Sequence, residues 1–106
     1  MSYQMNSTLA ALADPTRRLV FETLREGPSP VGVLAKKLPV TRPAVSQHLK
    51  VLNDAGLVTV SIRGTRRIYA VDPNGLNDLR TWLDGFWDDV LTSFAAEIIS
   101  TKDTTP

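Results

Sequence analysis

Basic side chains are concentrated in the middle of this 106-residue chain. Residues 36–67 contain seven lysines and arginines against one acid, a local balance of +6, whereas the formal net charge of the whole chain is only +1. Residues 68–106 have the opposite balance, −5, and the first 35 residues are neutral overall. A concentrated basic patch favours a polyphosphate partner, because each phosphate that it neutralises releases counterions. The charge pattern therefore makes a nucleic acid the first candidate partner.

A helix is predicted over residues 42–55, with Thr41 as its N-cap and Gly56 at its C-terminal end. Polar side chains near these cations fall on one side of this helix. Apolar residues at i, i+4 and i+7 predict the buried side of that helix: Val45, Leu49 and Leu52. At 100° per residue, the opposite side and its flank present Pro43, Ser46, Gln47, Lys50, Asn53 and Asp54. Gln47 can bind adenine in a DNA major groove through both ends of its amide, and Lys50 can reach guanine or a phosphate. Taken alone, the same face would also suit a helix that is merely solvated.

Three arginines surround the dipeptide Gly64-Thr65, which separates two stretches of alternating polarity. The alternation predicts two strands, and glycine in the first position favours a tight hairpin turn. Arg63, Arg66 and Arg67 would then project from the hairpin tip, where arginine fits a narrow minor groove or pairs with phosphates. A basic edge that prevents association between sheets is the alternative interpretation, and both can hold at once.

The polar helix face and the arginines of the hairpin tip must be positioned by the helices that precede them in the sequence. Asp14 is predicted to cap a helix from Pro15 to about Glu26, with Leu19 among its inward-facing residues. Ser29-Pro30 is predicted to open a third helix, which ends before the turn at residues 39–41.

Two helices joined by a short turn and followed by a basic hairpin are the parts of a winged helix-turn-helix. The sequence therefore predicts a mainly α fold with a small β-hairpin. We expect a single domain over residues 1–100 and a polar tail over residues 101–106.

The last predicted helix, from Leu76 to about Ile99, has an apolar stripe that so small a domain can cover only in part. Part of the stripe is expected to pack on the chain's own first helix, and a second copy of the chain is expected to bury the rest. The N- and C-terminal helices would then form a dimer interface through Leu9, Leu79, Trp82, Leu83, Phe86, Trp87, Val90 and Phe94.

Four segments together resemble the ArsR/SmtB family of bacterial transcriptional regulators: Leu12 to Arg18, Arg42 to Leu52, Ala55 to Val58, and the Arg63 to Arg66 tip with Tyr69. The resemblance implies a homodimer that binds double-stranded DNA at a partly palindromic operator, usually as a repressor. It also implies that residues 42–55 form the recognition helix and residues 57–71 the wing. The expected DNA-binding residues are Arg42, Pro43, Ser46, Gln47, His48, Lys50, Arg63, Thr65, Arg66 and Arg67.

Other classes of function have weaker support in the sequence. The chain has no cysteine, and its single histidine, His48, is expected to be half-buried between helices, so neither a thiolate nor an imidazole metal site is expected. A metal-responsive repressor that uses the oxygens of Asp84, Asp88 and Asp89 remains an alternative, as does a winged-helix module that docks on an acidic protein. No nucleophile–histidine–acid set or phosphate-binding glycine motif is present, so we expect no enzymatic activity and no cofactor. The absence of a signal segment or an apolar span predicts a cytoplasmic protein that does not use a membrane. The operator, the regulated genes and any effector are not encoded in a readable form.

Overall fold

The computed structural model describes the backbone of residues 3–104 and the side chains of residues 4–99. The elements follow one another in the order α1 (Tyr3–Ala13), α2 (Pro15–Thr23), β1 (Ser29–Pro30), α3 (Val31–Lys36), α4 (Arg42–Asp54), β2 (Val58–Arg63), β3 (Arg66–Val71) and α5 (Pro73–Thr104). A short 3-10 turn, Leu24–Glu26, follows α2. The predicted mainly α fold with a small β-hairpin is confirmed.

Side-chain caps set the beginnings of α2 and α4, as the sequence predicts. The carboxylate of Asp14 accepts a hydrogen bond from the backbone N–H of Arg17 at 3.0 Å, and Pro15 is the first residue of α2. The hydroxyl of Thr41 accepts one from the backbone N–H of Ala44 at 3.3 Å. Each cap gives a partner to a backbone donor that the helix itself cannot satisfy.

Two arginines that follow the Asp14 cap close the preceding helix. Arg17 donates to the carbonyl of Ala11 at 2.6 Å and to that of Ala10 at 3.4 Å, and Arg18 donates to the carbonyl of Leu12 at 2.8 Å. These carbonyls belong to the last turn of α1, where helical partners run out and positive charge is favourable. The arginines therefore join α1 to α2.

The Asp14 cap should contribute to the pH dependence of stability. The hydrogen bond from the Arg17 backbone holds the pKa of the Asp14 carboxyl below its ordinary value, and the charges of Arg17 and His48 act in the same direction. A native pKa below the unfolded one stabilises the fold above the unfolded pKa, and this contribution is lost as the pH falls through the native pKa. In urea unfolding at neutral and at strongly acid pH, the Asp14→Asn variant, which keeps an acceptor, should therefore lose less stability on acidification than the native chain. Parallel losses in the two proteins would contradict this assignment.

The hydrophobic core lies between α2, α3, α4 and the base of the hairpin. Its fully buried members are Val20, Leu24, Leu34, Val45, Leu49, Leu52 and Leu57. The three residues predicted for the buried side of α4 are among them. The prediction for Leu19 is wrong, because this side chain is 39% exposed. Val20 and Leu24, four residues apart, occupy the inward face of α2 and its extension, and Leu19 is rotated about 100° from Val20.

The predicted hairpin is present, with Arg63 opposite Arg66 across the connection Gly64-Thr65. Gly64 has φ +63°, a conformation that glycine adopts without the strain of a Cβ. Val58 is buried at the base of β2, but Val60 and Ile62 on the same face are 41% and 72% exposed. The hairpin therefore leaves the body of the protein soon after Val58.

A third strand was not predicted. Ser29–Pro30 forms β1 instead of opening a helix, and it pairs antiparallel with β3 through Ser29 opposite Tyr69, so that the sheet order is β1-β3-β2. The backbone of Pro30 is extended, with φ −69° and ψ 154°, and α3 begins only at Val31. The partner of this strand lies about 40 residues away in the sequence, so local patterns do not reveal it.

The end of α4 and the beginning of α5 meet at Gly56. Gly56 has φ +80° as predicted for a helix end, and the N–H groups of Gly56 and Leu57 donate to the carbonyls of Asn53 and Leu52, both at 3.0 Å. Gly75 lies directly against this turn, since a Cβ on Gly75 would overlap the carbonyl oxygen of Gly56. Gly75 is therefore required by a close approach of two backbones, and Gly56 by its positive φ.

The last helix is longer than predicted at both ends. Asp72 accepts a hydrogen bond from the backbone N–H of Asn74 at 2.9 Å, so that α5 begins at Pro73 rather than at Leu76. It continues to Thr104, so residues 101–104 of the predicted tail are helical, and residues 105–106 lie outside the described residues. The 32 residues of α5 span about 48 Å at 1.5 Å per residue.

This helix makes the molecule elongated. The radius of gyration is 19.2 Å and the extents are 72 × 25 × 22 Å, whereas a compact domain of this size has a radius of gyration of about 13 Å.

Across the part of the chain that the structure describes, no helix combines the length and the hydropathy that a bilayer span requires.

Candidate nucleic-acid interface

An open cleft of about 1240 Å³ lies between α3, α4 and the β2–β3 hairpin. One wall is the polar side of α4, and the other is the hairpin with its arginines. The side chains along it are Val31, Lys36, Arg42, Ser46, Gln47, Lys50, Asn53, Asp54, Val60, Thr65, Arg66, Arg67 and Tyr69, among others. We name this surface the basic cleft. It contains five cations and one acid, so its local charge is strongly positive.

Most of the residues predicted to bind DNA meet in the basic cleft. The seven that line it are Arg42, Ser46, Gln47, Lys50, Thr65, Arg66 and Arg67. Pro43 and Arg63 are exposed beside it, and His48 is half-buried within α4, as expected. The structure thus places the two predicted groups, helix face and hairpin tip, on one continuous surface.

Sequence reasoning missed several residues of the cleft. Lys36 lines it from α3, whereas the neighbouring Lys37 pairs with Glu26 at 3.1 Å and does not. The only sequence signal for Lys36 is its position in the basic segment, and nothing local distinguishes it from Lys37. The aromatic ring of Tyr69 is buried at the cleft floor, where β3 lies between β1 and β2.

The cations of the cleft are available for a ligand. Within residues 4–99, Lys36, Arg42, Arg66 and Arg67 form no ion pair. Lys50 pairs with Asp54 one helical turn away at 3.5 Å, but both side chains are more than 70% exposed. An exposed pair of this kind contributes little stability, about 0.3–0.5 kcal/mol, and a phosphate can replace the carboxylate at low cost.

One of these cations, Arg42, lies beside α3 at the beginning of α4. Its guanidinium group lies over Gly32 of α3, 3.4 Å from the position that a Cβ at Gly32 would occupy. Arg42 is also the first residue of α4, where the positive end of the helix adds to its charge. The cleft therefore presents a positively charged helix end beside the polar reading face.

Comparisons with known proteins identify this arrangement. The sequence profile of a helix-turn-helix domain family matches residues 12–61. The HTH-type transcriptional regulator Rv2034 of Mycobacterium tuberculosis is 58% identical over 95 residues, which cover 90% of this chain and 89% of Rv2034. An ArsR-like transcriptional regulator from Rhodococcus sp. RHA1 superimposes with a TM-score of 0.77 at 30% identity, over 88% of each chain.

The chain belongs to the ArsR family of helix-turn-helix transcriptional regulators. The family, the winged helix-turn-helix fold and DNA binding as a transcriptional regulator, all predicted from the sequence, are thereby confirmed. A further structure, the homodimeric winged helix-turn-helix DNA-binding domain of Mb0332 from Mycobacterium bovis, is 25% identical, with a TM-score of 0.66 over 83% of this chain and 82% of its own.

A second surface of this ArsR-family chain is apolar and uncovered. Along α5, five of the predicted interface residues are between 43% and 61% exposed: Leu83, Phe86, Trp87, Val90 and Phe94. Leu9, Leu79 and Trp82 are half-buried, and the rings of Trp82 and Phe86 stack with centroids 6.2 Å apart. We name this surface the α5 stripe. So large an apolar surface along one helix is typical of an interface.

The acidic residues of α5 lie on both sides of that helix, since Asp89 and Glu97 fall within about 60° of Phe86. At 100° per residue, Asp84 and Asp88 fall about 160° from Phe86, and Arg80 pairs with Asp84 at 3.6 Å. Within the described residues of this ArsR-family chain, no three histidine, cysteine, aspartate or glutamate side chains cluster as a metal site.

Proposed function

We propose that this regulator is a homodimer that binds an inverted-repeat operator through its basic clefts and represses transcription without sensing a metal. The observation that supports this most directly is the basic cleft itself. It combines unpaired cations, a polar helix face and a hairpin tip in one concave surface. We further propose that it acts in the cytoplasm.

Within the cleft, the two walls have different roles. Gln47 and Ser46 on α4 read base edges in the major groove, where an amide pairs with adenine and a hydroxyl accepts or donates. The hairpin arginines, Arg66 above all, contact phosphates or the adjacent minor groove. The sugar–phosphate strand passes between them, past Lys36 and Arg42. This division separates base recognition from charge neutralisation.

Dimerisation is proposed from the α5 stripe. One recognition helix contacts few base pairs, whereas two that are related by a twofold axis read half-sites about 34 Å apart. A second copy of the chain is the occupant that fits the stripe, because a twofold interface pairs the same apolar surface on both protomers. The homodimeric Mb0332 domain supports the same arrangement.

The test of the proposed function separates the two walls. A duplex is selected from random sequence by the native protein, and affinity is measured by fluorescence anisotropy over a range of salt concentrations. Arg66→Ala should weaken binding to every duplex and lower the slope of log K against log salt by about 2, because one phosphate contact is lost from each of the two protomers. Gln47→Ala should instead reduce discrimination at one base pair by about 1–3 kcal/mol.

The matched control is Arg80→Ala, which removes the same charge from α5, outside the basic cleft. It should leave the salt slope unchanged. If Arg80→Ala and Arg66→Ala changed the slope equally, the cleft would not be the DNA-binding surface. If the native protein selected no duplex at all, the basic surface would have to serve a protein partner instead.

A further inference from the structure

The C-terminal end of α4 is held by two side chains of the N-terminal helix, α1. The carbonyl of Ala55, which follows α4, accepts a hydrogen bond from the side-chain amide of Gln4 at 2.7 Å and one from the hydroxyl of Thr8 at 3.3 Å. The single hydroxyl proton of Thr8 is shared between this acceptor and the carbonyl of Gln4, which lies closer, at 2.9 Å. A carbonyl oxygen has two lone pairs, so α1 can supply both partners of this acceptor.

The Ala55 acceptor and the Thr8 donor lie where water is scarce, whereas the Gln4 side chain is exposed. Thr8 and Ala55 are each only 4% exposed. Thr8 is also a buried polar residue in a helix whose core neighbours are apolar, and its hydroxyl is accounted for by these contacts. A buried carbonyl that loses its donor is not readily compensated, so the contact constrains the position of α4 relative to α1.

The helix α5 holds the same turn from another side. The backbone N–H of Asp72 donates to the carbonyl of Leu57 at 2.9 Å, and Gly75 lies against the carbonyl of Gly56. Three consecutive residues, Ala55 to Leu57, are therefore in contact with both helices of the proposed dimer interface.

We infer that Gln4 and Thr8 are positioning residues that fix the orientation of α4 relative to the dimer axis and thereby set the half-site separation that the protein accepts. This inference rests on the proposed function. It assigns to α1 a part in operator selection that is distinct from contact with DNA and from dimerisation.

The geometry of α4 makes its anchored end influential. Gln47 lies eight residues before Ala55, about 12 Å along the helix axis. If loss of the α1 hydrogen bonds allowed α4 to tilt by about 10° about this turn, which α5 still holds, the Gln47 side chain would move by about 2 Å. That displacement is enough to break a hydrogen bond of about 3 Å. A protomer bound to a single half-site can shift on the DNA and recover the contact. In a dimer on one duplex, both protomers can make their contacts only if the distance between their recognition helices matches the half-site separation.

The experiment compares three kinds of duplex: the inverted repeat that the native protein selects, the same repeat with one or two base pairs inserted or removed at its centre, and a single half-site. The variants are Gln4→Ala, which changes an exposed side chain, and Thr8→Val, which removes the hydroxyl but keeps the shape. Thr8→Ser, which keeps the hydroxyl, is the matched control. Sedimentation equilibrium establishes the oligomeric state of each variant.

For Gln4→Ala and Thr8→Val we expect half-site affinity within about twofold of native and a loss of about fivefold to tenfold on the selected repeat, as for about one hydrogen bond lost in each protomer. We also expect a flatter dependence on spacing, while the dimer persists. Thr8→Ser should match the native profile.

Three outcomes would overturn the inference. The first is an unchanged spacing profile and affinity in both variants. The second is dissociation of the variants into monomers, which would make these residues part of dimerisation. The third is an equal loss on half-site and full repeat, which would indicate a general loss of fold. Failure of the proposed function looks different, because then the native protein itself selects no repeat and has no spacing preference, and the inference falls with it.

Discussion

Replacing Phe86 with glutamate is expected to convert the proposed dimer into a folded monomer. Phe86 is 60% exposed in the single chain, so its substitution leaves the core intact, but it lies at the centre of the α5 stripe. Loss of its burial costs about 1–2 kcal/mol in each protomer, and a carboxylate in an apolar interface adds a desolvation cost. The dimer dissociation constant should therefore rise at least about a hundredfold, as measured by sedimentation equilibrium.

The matched control for this variant is Thr81→Glu. It introduces the same charge on the same helix, about 140° around the axis from Phe86. Thr81→Glu should remain dimeric with native affinity for the selected repeat, whereas Phe86→Glu should bind the repeat no better than a half-site. A dimer of native strength in Phe86→Glu would show that the α5 stripe serves another partner.

Replacing Gly75 with alanine is expected to destabilise the fold strongly. The new Cβ would overlap the carbonyl oxygen of Gly56, which belongs to backbone and cannot rotate away. Either α5 or the turn after α4 must shift, and overpacking of this kind costs about 1–3 kcal/mol. In thermal unfolding of a domain of this size, each kcal/mol lowers the midpoint by about 4–8 °C.

Replacing Gly85 with alanine, on the same helix, is expected to stabilise the fold. A Cβ at Gly85 meets nothing within 4 Å, and its position lies off the α5 stripe. Alanine in an open helical position is favoured over glycine by about 0.5–1 kcal/mol, so this variant should be more stable than the native chain. Equal effects of the two substitutions would contradict the backbone contact between Gly75 and Gly56.

The parts of the fold that the sequence predicts well depend on local chemistry. Asp14 and Thr41 cap helices because their side chains reach a backbone N–H three residues later. Gly56 and Gly64 mark a helix end and a hairpin turn because both need positive φ. The apolar spacing of α4 identifies its buried side without reference to the rest of the chain.

What the sequence does not predict depends on contacts between distant residues. Ser29–Pro30 is a strand only because β3 lies beside it, and Gly75 looks like a loop residue until the turn at Gly56 is placed against it. The same holds for the site. Membership of Lys36 in the basic cleft, and the bonds from Gln4 to Ala55, follow from how α1 and α3 pack on α4.

Because α5 is long, a small rotation at its first turn corresponds to a large displacement of its other end. The helix is about 48 Å long, and Gly75 in its first turn lies against the backbone of Gly56. A rotation of about 5° about that contact would displace the C-terminal end of α5 by about 4 Å. A partner that displaced the far end of α5 would therefore also act on the backbone turn that ends α4, the helix proposed to contact bases.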